Sequence, residues 1–136
     1  IRDRVLRVRL LLDTQVFLWM FLHPQKIRPK FWQYLRNAEN ELYLSAASAW
    51  EIAIKVRTGK MKLPTNPALY VPRRARESNI LSLPITEEHA LAVADVPMKH
   101  SDPFDRILVA QAQLESLTVV TADTAFAQYD VKCMIL

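Results

Sequence analysis

Short apolar segments with strand character alternate along the chain with helical segments, and this alternation limits the possible folds more than any other feature. The strand-like segments span residues 8–12, 42–44, 80–83, 117–120 and 131–135. Strands that alternate with helices imply right-handed crossovers between parallel strands, with helices on both faces of the sheet. The sequence therefore predicts an α/β fold, a three-layer α/β/α sandwich with a central, mostly parallel sheet.

Helices are predicted between these strands from caps and apolar spacing. They cover residues 15–22, 30–38, 45–57, 86–94, 102–116 and 124–128, with loops at 64–72 and 97–101 and a polar helix after the first of these loops. Ser45 stands at an N-cap position, and Gly59 stands where glycine is favoured past a helix C-terminus. Residues 16–22 are apolar without a break, which exceeds the single stripe that a surface helix needs. We expect the additional apolar face to contact a partner.

Composition excludes several classes of protein. The chain has 136 residues, which fits one domain over 1–136, and its only glycine is Gly59. The glycine-rich phosphate loops of P-loop NTPases and dinucleotide-binding domains need several glycines and are therefore excluded. The net charge of +4 is compatible with a polyanionic partner.

Cysteine usage and apolar run lengths indicate the compartment. Cys133 is the only cysteine, so no internal disulfide is possible, and it lies in a C-terminal run predicted to be a buried strand. No apolar run approaches the roughly 20 residues that span a bilayer, and arginines at positions 2, 4, 7 and 9 interrupt the only candidate signal peptide. We expect a cytoplasmic protein without a membrane segment.

Four acidic residues stand where the predicted fold can bring them together. Asp13 and Asp123 each follow a strand, Asp105 opens a helix, and Glu51 lies within a helix. The carboxyl ends of parallel strands share one edge of a sheet, where ligand sites of such folds occur. Gathered carboxylates repel one another unless they take up protons or a cation neutralises them. Because every ligand atom would be oxygen, Mg²⁺ or Mn²⁺ is the cation expected.

Each acidic residue also has an ordinary structural interpretation. Asp13 and Asp123 can cap the helices that follow them, and Asp102 can cap a helix that starts at Pro103. Asp105 is then an acid in the first turn of that helix, where it suits the helix dipole. Glu51 is spaced four residues before Lys55, the favourable order for a surface ion pair. The functional interpretation fails only if all of these alternatives suffice together.

Other polar and aromatic residues point to no second site. The histidines at 23, 89 and 100 lack the spacing of zinc ligands and are expected in surface or loop positions. The aromatic residues at 17, 19, 21, 31 and 32 fall in helices rather than on strands, so they are expected in the core or at an interface and not as a platform for base stacking.

Four blocks of the sequence together resemble the PIN-domain proteins of the VapC toxin type. The blocks are LLDTQVFLW at 11–19, LSAASAWEIAIK at 44–55, SDPFDRILVAQA at 101–112 and TAD at 121–123, and the resemblance runs from about residue 10 to residue 131. Residues 1–9 precede the usual start of the family and would form an N-terminal extension with the start of the first strand. Gln15 stands where many relatives have histidine.

The resemblance implies a PIN-like fold and an endoribonuclease with an acidic Mg²⁺ or Mn²⁺ site. The family's catalytic and metal-binding acids correspond to Asp13, Glu51, Asp105 and Asp123. Asp102 corresponds to a secondary acid of the same block. Ser45 and Thr121 correspond to small hydroxyl residues near the site that help to order water or phosphate. The resemblance also implies an antitoxin partner, and a homodimer is expected.

The reaction predicted is metal-dependent hydrolysis of RNA phosphodiester bonds by the toxin of a type II toxin–antitoxin module. Lys55 and Arg106 follow the acidic residues closely in sequence and are candidate contacts to the phosphate backbone, although either can be an ordinary surface charge. An alternative is a non-catalytic member of such a complex that binds its partner and acts mainly in autoregulation. A small-molecule phosphohydrolase is disfavoured, because the Asp-x-Asp pair of an aspartyl-phosphate mechanism is lacking.

Overall fold

A parallel five-stranded sheet forms the centre of the computed structural model, which describes residues 7–98 and 102–136. Its strands are β1 (Arg9–Leu12), β2 (Glu41–Ser45), β3 (Ile80–Leu83), β4 (Thr118–Thr121) and β5 (Cys133–Ile135). Their order across the sheet is β3-β2-β1-β4-β5, and all four neighbouring pairs are parallel. The predicted parallel α/β fold is confirmed.

Six α-helices connect and cover the strands in the described part of the chain. They are α1 (Thr14–Leu22), α2 (Pro29–Leu35), α3 (Ala46–Arg57), α4 (Pro67–Glu77), α5 (Glu87–Ala92) and α6 (Pro103–Glu115). Alternate residues of β1 point to opposite faces of the sheet, as strand geometry requires. Leu10 and Leu12 pack with residues of α1 to α4, whereas Leu11 packs with α6. The two apolar clusters define the three predicted layers.

Local signals explain most helix boundaries. Four helices begin after a residue whose side chain accepts a hydrogen bond from a backbone N–H of the first turn. These capping residues are Asp13, Ser45, Thr86 and Asp102. α3 ends at Arg57, and Gly59 then adopts a φ of 78°, a conformation that glycine tolerates best. The predicted caps are thus confirmed at Asp13, Ser45 and Asp102.

The predicted loop at 64–72 is partly wrong, because α4 already begins at Pro67. Asn66 caps this helix by accepting from Ala68 N at 2.8 Å, and Pro67 occupies the first turn, where its missing N–H costs nothing. Pro72 lies inside α4 and removes one intrahelical hydrogen bond. Burial of the adjacent Tyr70 and Val71 offsets this loss. Of the predicted loop at 97–101, residues 99–101 lie outside the described residues, as do residues 1–6 of the predicted N-terminal extension.

Packing within the domain accounts for most of the apolar excess at residues 16–22, and contact of this segment with a partner stays a prediction. Within α1, which the structure describes completely, Gln15 alone is exposed. The helix packs in one cluster with the sheet and with buried residues of α2 and α4. A helix that is covered on several sides needs apolar residues around most of its circumference. This requirement explains why α1 has more apolar residues than a surface helix does.

His89 also departs from expectation, because it is buried rather than at the surface, with 1% of its area exposed. Its Nδ1 accepts from Thr86 N at 3.0 Å, and its Nε2 lies 2.8 Å from Glu115 Oε2. His23 is exposed as predicted, and His100 lies outside the described residues. Cys133 is half-buried rather than buried, since β5 is an edge strand with a neighbour on one side only.

Within residues 7–98 and 102–136, no helix is both long enough and apolar enough to cross a bilayer.

Candidate active site

Asp13 and Asp123 lie side by side at the carboxyl edge of the sheet, because β1 and β4 are parallel neighbours. Asp13 follows β1, donates its backbone N–H to Val120 O at 2.9 Å, and accepts from Val16 N at Oδ1 over 2.8 Å. Asp123 follows β4 and accepts from Ala125 N at 2.9 Å, which caps a 3₁₀ turn. Both residues therefore fulfil the predicted capping role and also face one site.

Thr121 joins these two aspartates. Its buried Oγ1 donates a hydrogen bond to Asp13 Oδ2 and accepts one from Asp123 N at 2.9 Å. The hydroxyl thereby fixes the orientation of the Asp13 carboxylate and the course of the chain after β4.

Glu51 reaches the same site from α3. Its Oε1 accepts from Thr14 Oγ1 at 2.7 Å, and its Oε2 accepts from Lys55 Nζ at 2.7 Å. Thr14 Oγ1 also lies 2.9 Å from Ser48 Oγ. The ion pair with Lys55 is present as predicted, and Glu51 is buried, with 7% of the residue exposed.

Asp102 and Asp105 complete the site from the start of α6. Asp102 caps the helix by accepting from Phe104 N at 2.9 Å, and Asp105 follows in the first turn. A cleft of about 160 Å³ is lined by Asp13, Thr14, Gln15, Leu18, Glu51, Lys55, Met61, Asp102, Asp105 and Asp123. The structure thus brings all four predicted acidic residues and the secondary acid to one cleft.

The electrostatics of the cleft follow from burial and from crowding of like charges. Burial raises the pKa of Asp13 to about 6; the hydrogen bonds from Thr121 and Val16 N lower it in part, and the charges of Glu51 and Asp123 raise it. Burial likewise raises the pKa of Asp105 to about 7, with further increases from the four other carboxylates. Five carboxylates line the cleft against one ammonium, that of Lys55.

Three predicted site residues do not line the cleft. Thr121 is fully buried and reaches the cleft only through its hydrogen bonds with Asp13 and Asp123. Ser45 is fully buried and caps α3 by accepting from Ala47 N at 3.0 Å. Arg106 directs its Nη2 to the carbonyl oxygens of Val93 at 3.2 Å and Val96 at 3.4 Å. Its guanidinium therefore stabilises the segment before α6 and is not among the groups that line the cleft.

Some residues of the cleft were missed by the sequence reasoning. Thr14 orients Glu51, and its hydroxyl directly after a strand-ending aspartate is a signal that would have indicated this role. Met61 lines the cleft after the turn at Gly59, and no sequence pattern indicates it.

The donor groups of the cleft fit a hard divalent cation. Every carboxylate supplies oxygen, the donor that Mg²⁺ and Mn²⁺ prefer, and the negative charge is only partly compensated by Lys55. Within residues 7–98 and 102–136, no three His, Cys, Asp or Glu side chains are already grouped as a ligand set. Four of the carboxylates already accept hydrogen bonds from the protein's own groups: Asp13 from Thr121, Glu51 from Lys55, Asp102 from Phe104 N and Asp123 from Ala125 N.

The fold is a parallel α/β/α sandwich that carries an acidic cleft at the carboxyl edge of its sheet. The PIN domain family model matches residues 10–132, and the chain belongs to the PIN-domain family.

Individual relatives agree with this assignment. The chain is 45% identical over 56 residues to Ribonuclease VapC16 of Mycobacterium tuberculosis (strain ATCC 25618 / H37Rv), a match that spans 41% of this chain and 38% of that relative. The fold is similar to VapBC2 from Rickettsia felis bound to a DNA fragment from their promoter, with a TM-score of 0.71, 14% identity, and coverage of 94% of this chain and 98% of that one. It is also similar to DNA-bound VapBC from Salmonella typhimurium, with a TM-score of 0.64, 16% identity, and coverage of 94% and 98%.

Proposed function

We propose that this protein is an endoribonuclease that requires Mg²⁺ or Mn²⁺ and hydrolyses RNA phosphodiester bonds. The proposal is carried by the convergence of Asp13, Glu51, Asp105 and Asp123 on one cleft from four separate elements. Membership of the PIN-domain family and the partial match to a relative named as a ribonuclease support it.

In this proposal the four carboxylates hold the cation, with Asp102 as an additional acid. When bound, a divalent cation lowers the pKa of water and offsets the charge that develops on the phosphate. Thr121 keeps the Asp13 carboxylate turned toward the cleft, and Thr14 does the same for Glu51. Lys55 contributes a positive charge beside the phosphate, since its ammonium lines the cleft 2.7 Å from Glu51.

The test is RNA cleavage by purified variants in Mg²⁺ or Mn²⁺, with EDTA as the metal-free condition. Asp13→Asn and Asp123→Asn remove one negative charge each with little change in shape and are expected to abolish cleavage. Asp130→Asn is the matched control, because Asp130 is exposed and does not line the cleft. Undiminished cleavage by either of the first two variants, or cleavage by the wild type in EDTA, refutes the proposal.

We also propose that the chain, as a single PIN domain, is the toxin of a cytoplasmic type II toxin–antitoxin module, with a protein antitoxin and a homodimeric assembly. The solved structures of similar fold include VapBC complexes, two of them bound to DNA. Several large apolar side chains are exposed and available for contact, including Trp50 at 61%, Leu91 at 70% and Met98 at 73%. A neighbouring small reading frame whose product co-purifies with this chain and suppresses its toxicity supports this assignment.

The same exposed apolar residues favour the second candidate, a non-catalytic partner-binding member of the complex that acts in autoregulation. The two candidates differ in the activity of the free protein. If the free protein cleaves no RNA in Mg²⁺ or Mn²⁺ while its complex with the antitoxin binds promoter DNA, the second candidate replaces the first.

A further inference from the structure

A second cleft adjoins the acidic one. It has a volume of about 400 Å³ and is lined by Asp13, Gln15, Trp19, Lys26, Ala122 and Asp123. Asp13, Gln15 and Asp123 also line the acidic cleft. The shared residues make the two clefts one groove, in which the acids occupy one half and an aromatic ring with a lysine occupies the other.

Trp19 and Lys26 border this groove as a pair. Trp19 lies one helical turn after Gln15 on α1, half-buried against the core and lining the cleft with its remaining surface. The Lys26 ammonium lies 5.5 Å from the centroid of the indole ring. Among the residues that the structure describes, this ammonium forms no ion pair, so its charge is available to an anion in the groove.

A polyanion that enters the acidic cleft needs cationic contacts nearby, because the carboxylates repel it. Arg106 is turned toward backbone carbonyls, and Lys55 is engaged with Glu51. Of the described residues that line the two clefts, Lys26 is the remaining cation. The partly exposed indole of Trp19 beside it matches the way single-stranded nucleic acids bind, through stacked bases and paired phosphates.

We propose that Trp19 and Lys26 form a nucleotide subsite next to the scissile bond, in which the indole stacks on a base of single-stranded RNA and the ammonium pairs with a phosphate. This inference rests on the proposed ribonuclease function. It assigns base stacking to Trp19, which sequence reasoning placed in the core or at an interface and not in a stacking platform.

The chain offers a matched control for the pair. Trp32 and Arg36 form the same kind of contact, with the guanidinium 4.3 Å from the ring centroid, and they have the same burial, a half-buried ring beside an exposed cation. They line a cleft at the amino end of β2 that contains no acidic side chain among its described lining residues. If such pairs only support the fold, substitution in either pair is expected to change KM for RNA equally.

The experiment uses a single-stranded oligoribonucleotide that the wild type cleaves at one bond. We expect Trp19→Leu to raise KM by roughly tenfold with little change in kcat, because one stacked base contributes about that factor to binding. Trp19→Phe retains an aromatic face and is expected to restore most of the affinity. Lys26→Gln, at an exposed position, is expected to reduce the slope of log KM against log salt by about 0.7. Trp32→Leu is expected to leave KM unchanged.

A substrate with an abasic nucleotide identifies the stacked base. The stacked base lies on one side of the cleaved bond. On a substrate that lacks this base, we expect Trp19→Leu to have the same KM as the wild type. If Trp19→Leu still raises KM on every abasic substrate, the stacking assignment is wrong. It is also wrong if Trp19→Leu and Trp32→Leu raise KM equally. If the wild type cleaves RNA and neither Trp19→Leu nor Lys26→Gln alters KM, the subsite is refuted and the proposed function stands. If the wild type cleaves no RNA, the proposed function itself is refuted.

Discussion

Asp13→Asn is predicted to stabilise the metal-free protein at neutral and higher pH, although it removes a proposed catalytic group. Burial raises the pKa of Asp13 from 3.8 to about 6, so the folded state binds this proton more tightly than the unfolded state does. The contribution of Asp13 to stability is therefore fully present below pH 3.8, and it is lost as pH rises through about 6.

The expected change in the free energy of unfolding follows from the size of the pKa shift of Asp13. A rise from 3.8 to about 6 corresponds to about 3 kcal/mol once the carboxylate is fully ionised. Asparagine keeps an oxygen for Val16 N but loses the charged acceptor of the Thr121 hydroxyl, a cost of about 1 kcal/mol. We expect the variant to gain about 2 kcal/mol at pH 8 and progressively less as pH falls below 6.

Urea unfolding, followed by tryptophan fluorescence in EDTA at pH 5 and pH 8, measures this difference. Asp130→Asn serves as the control and is expected to change stability by less than about 0.5 kcal/mol at either pH. Added Mn²⁺ is expected to stabilise the wild type more than Asp13→Asn, because the cation removes the same electrostatic cost. If Asp13→Asn is no more stable than the wild type at pH 8 in EDTA, the reasoning from carboxylate burial is wrong.

Three further substitutions test other contacts. Thr121→Val is expected to lower the initial cleavage rate roughly 10- to 100-fold by releasing the carboxylate that its hydroxyl orients, whereas Thr118→Val, at the other end of the same strand, leaves the rate unchanged; equal rates for the two variants contradict this role. Lys55→Met frees the Glu51 carboxylate and is expected to tighten Mn²⁺ binding in calorimetry, and unchanged or weaker binding shows that the lysine does not compete with the cation. His89→Leu leaves buried hydrogen-bonding groups unpaired and is expected to lower the free energy of unfolding by about 1–3 kcal/mol without altering the specific cleavage rate; an unchanged urea midpoint argues against this.

Features that depend on near neighbours in the chain were predictable from the sequence. The five strands, the parallel α/β class and the caps at Asp13, Ser45 and Asp102 follow from apolar runs and from side chains that bond to the next turn of backbone. The start of α4 is also encoded locally, because Asn66 and Pro67 form an N-cap and a first helical position. The prolines at 64 and 72 nevertheless favoured the prediction of a loop.

The convergence of the acidic residues was predictable only in part. Placement at one edge of a parallel sheet follows from strands that end in aspartate, but the adjacency of β1 and β4 is a property of the sheet order. Without that order, Asp13 and Asp123 would share an edge and still lie several strands apart. The Thr121 bridge between them exists only because these two strands are neighbours.

The sequence by itself determined the type of each element and the chemical nature of the site, since both depend on local backbone preferences and on which side chains are acidic. The tertiary structure alone decided burial and orientation. It buried His89 and most of α1, turned Arg106 toward carbonyls, and left Trp19 half-buried beside Lys26 at the edge of the groove. The physical reason is that burial and contact depend on which distant elements pack together, and the residues that form those contacts are far apart in the chain.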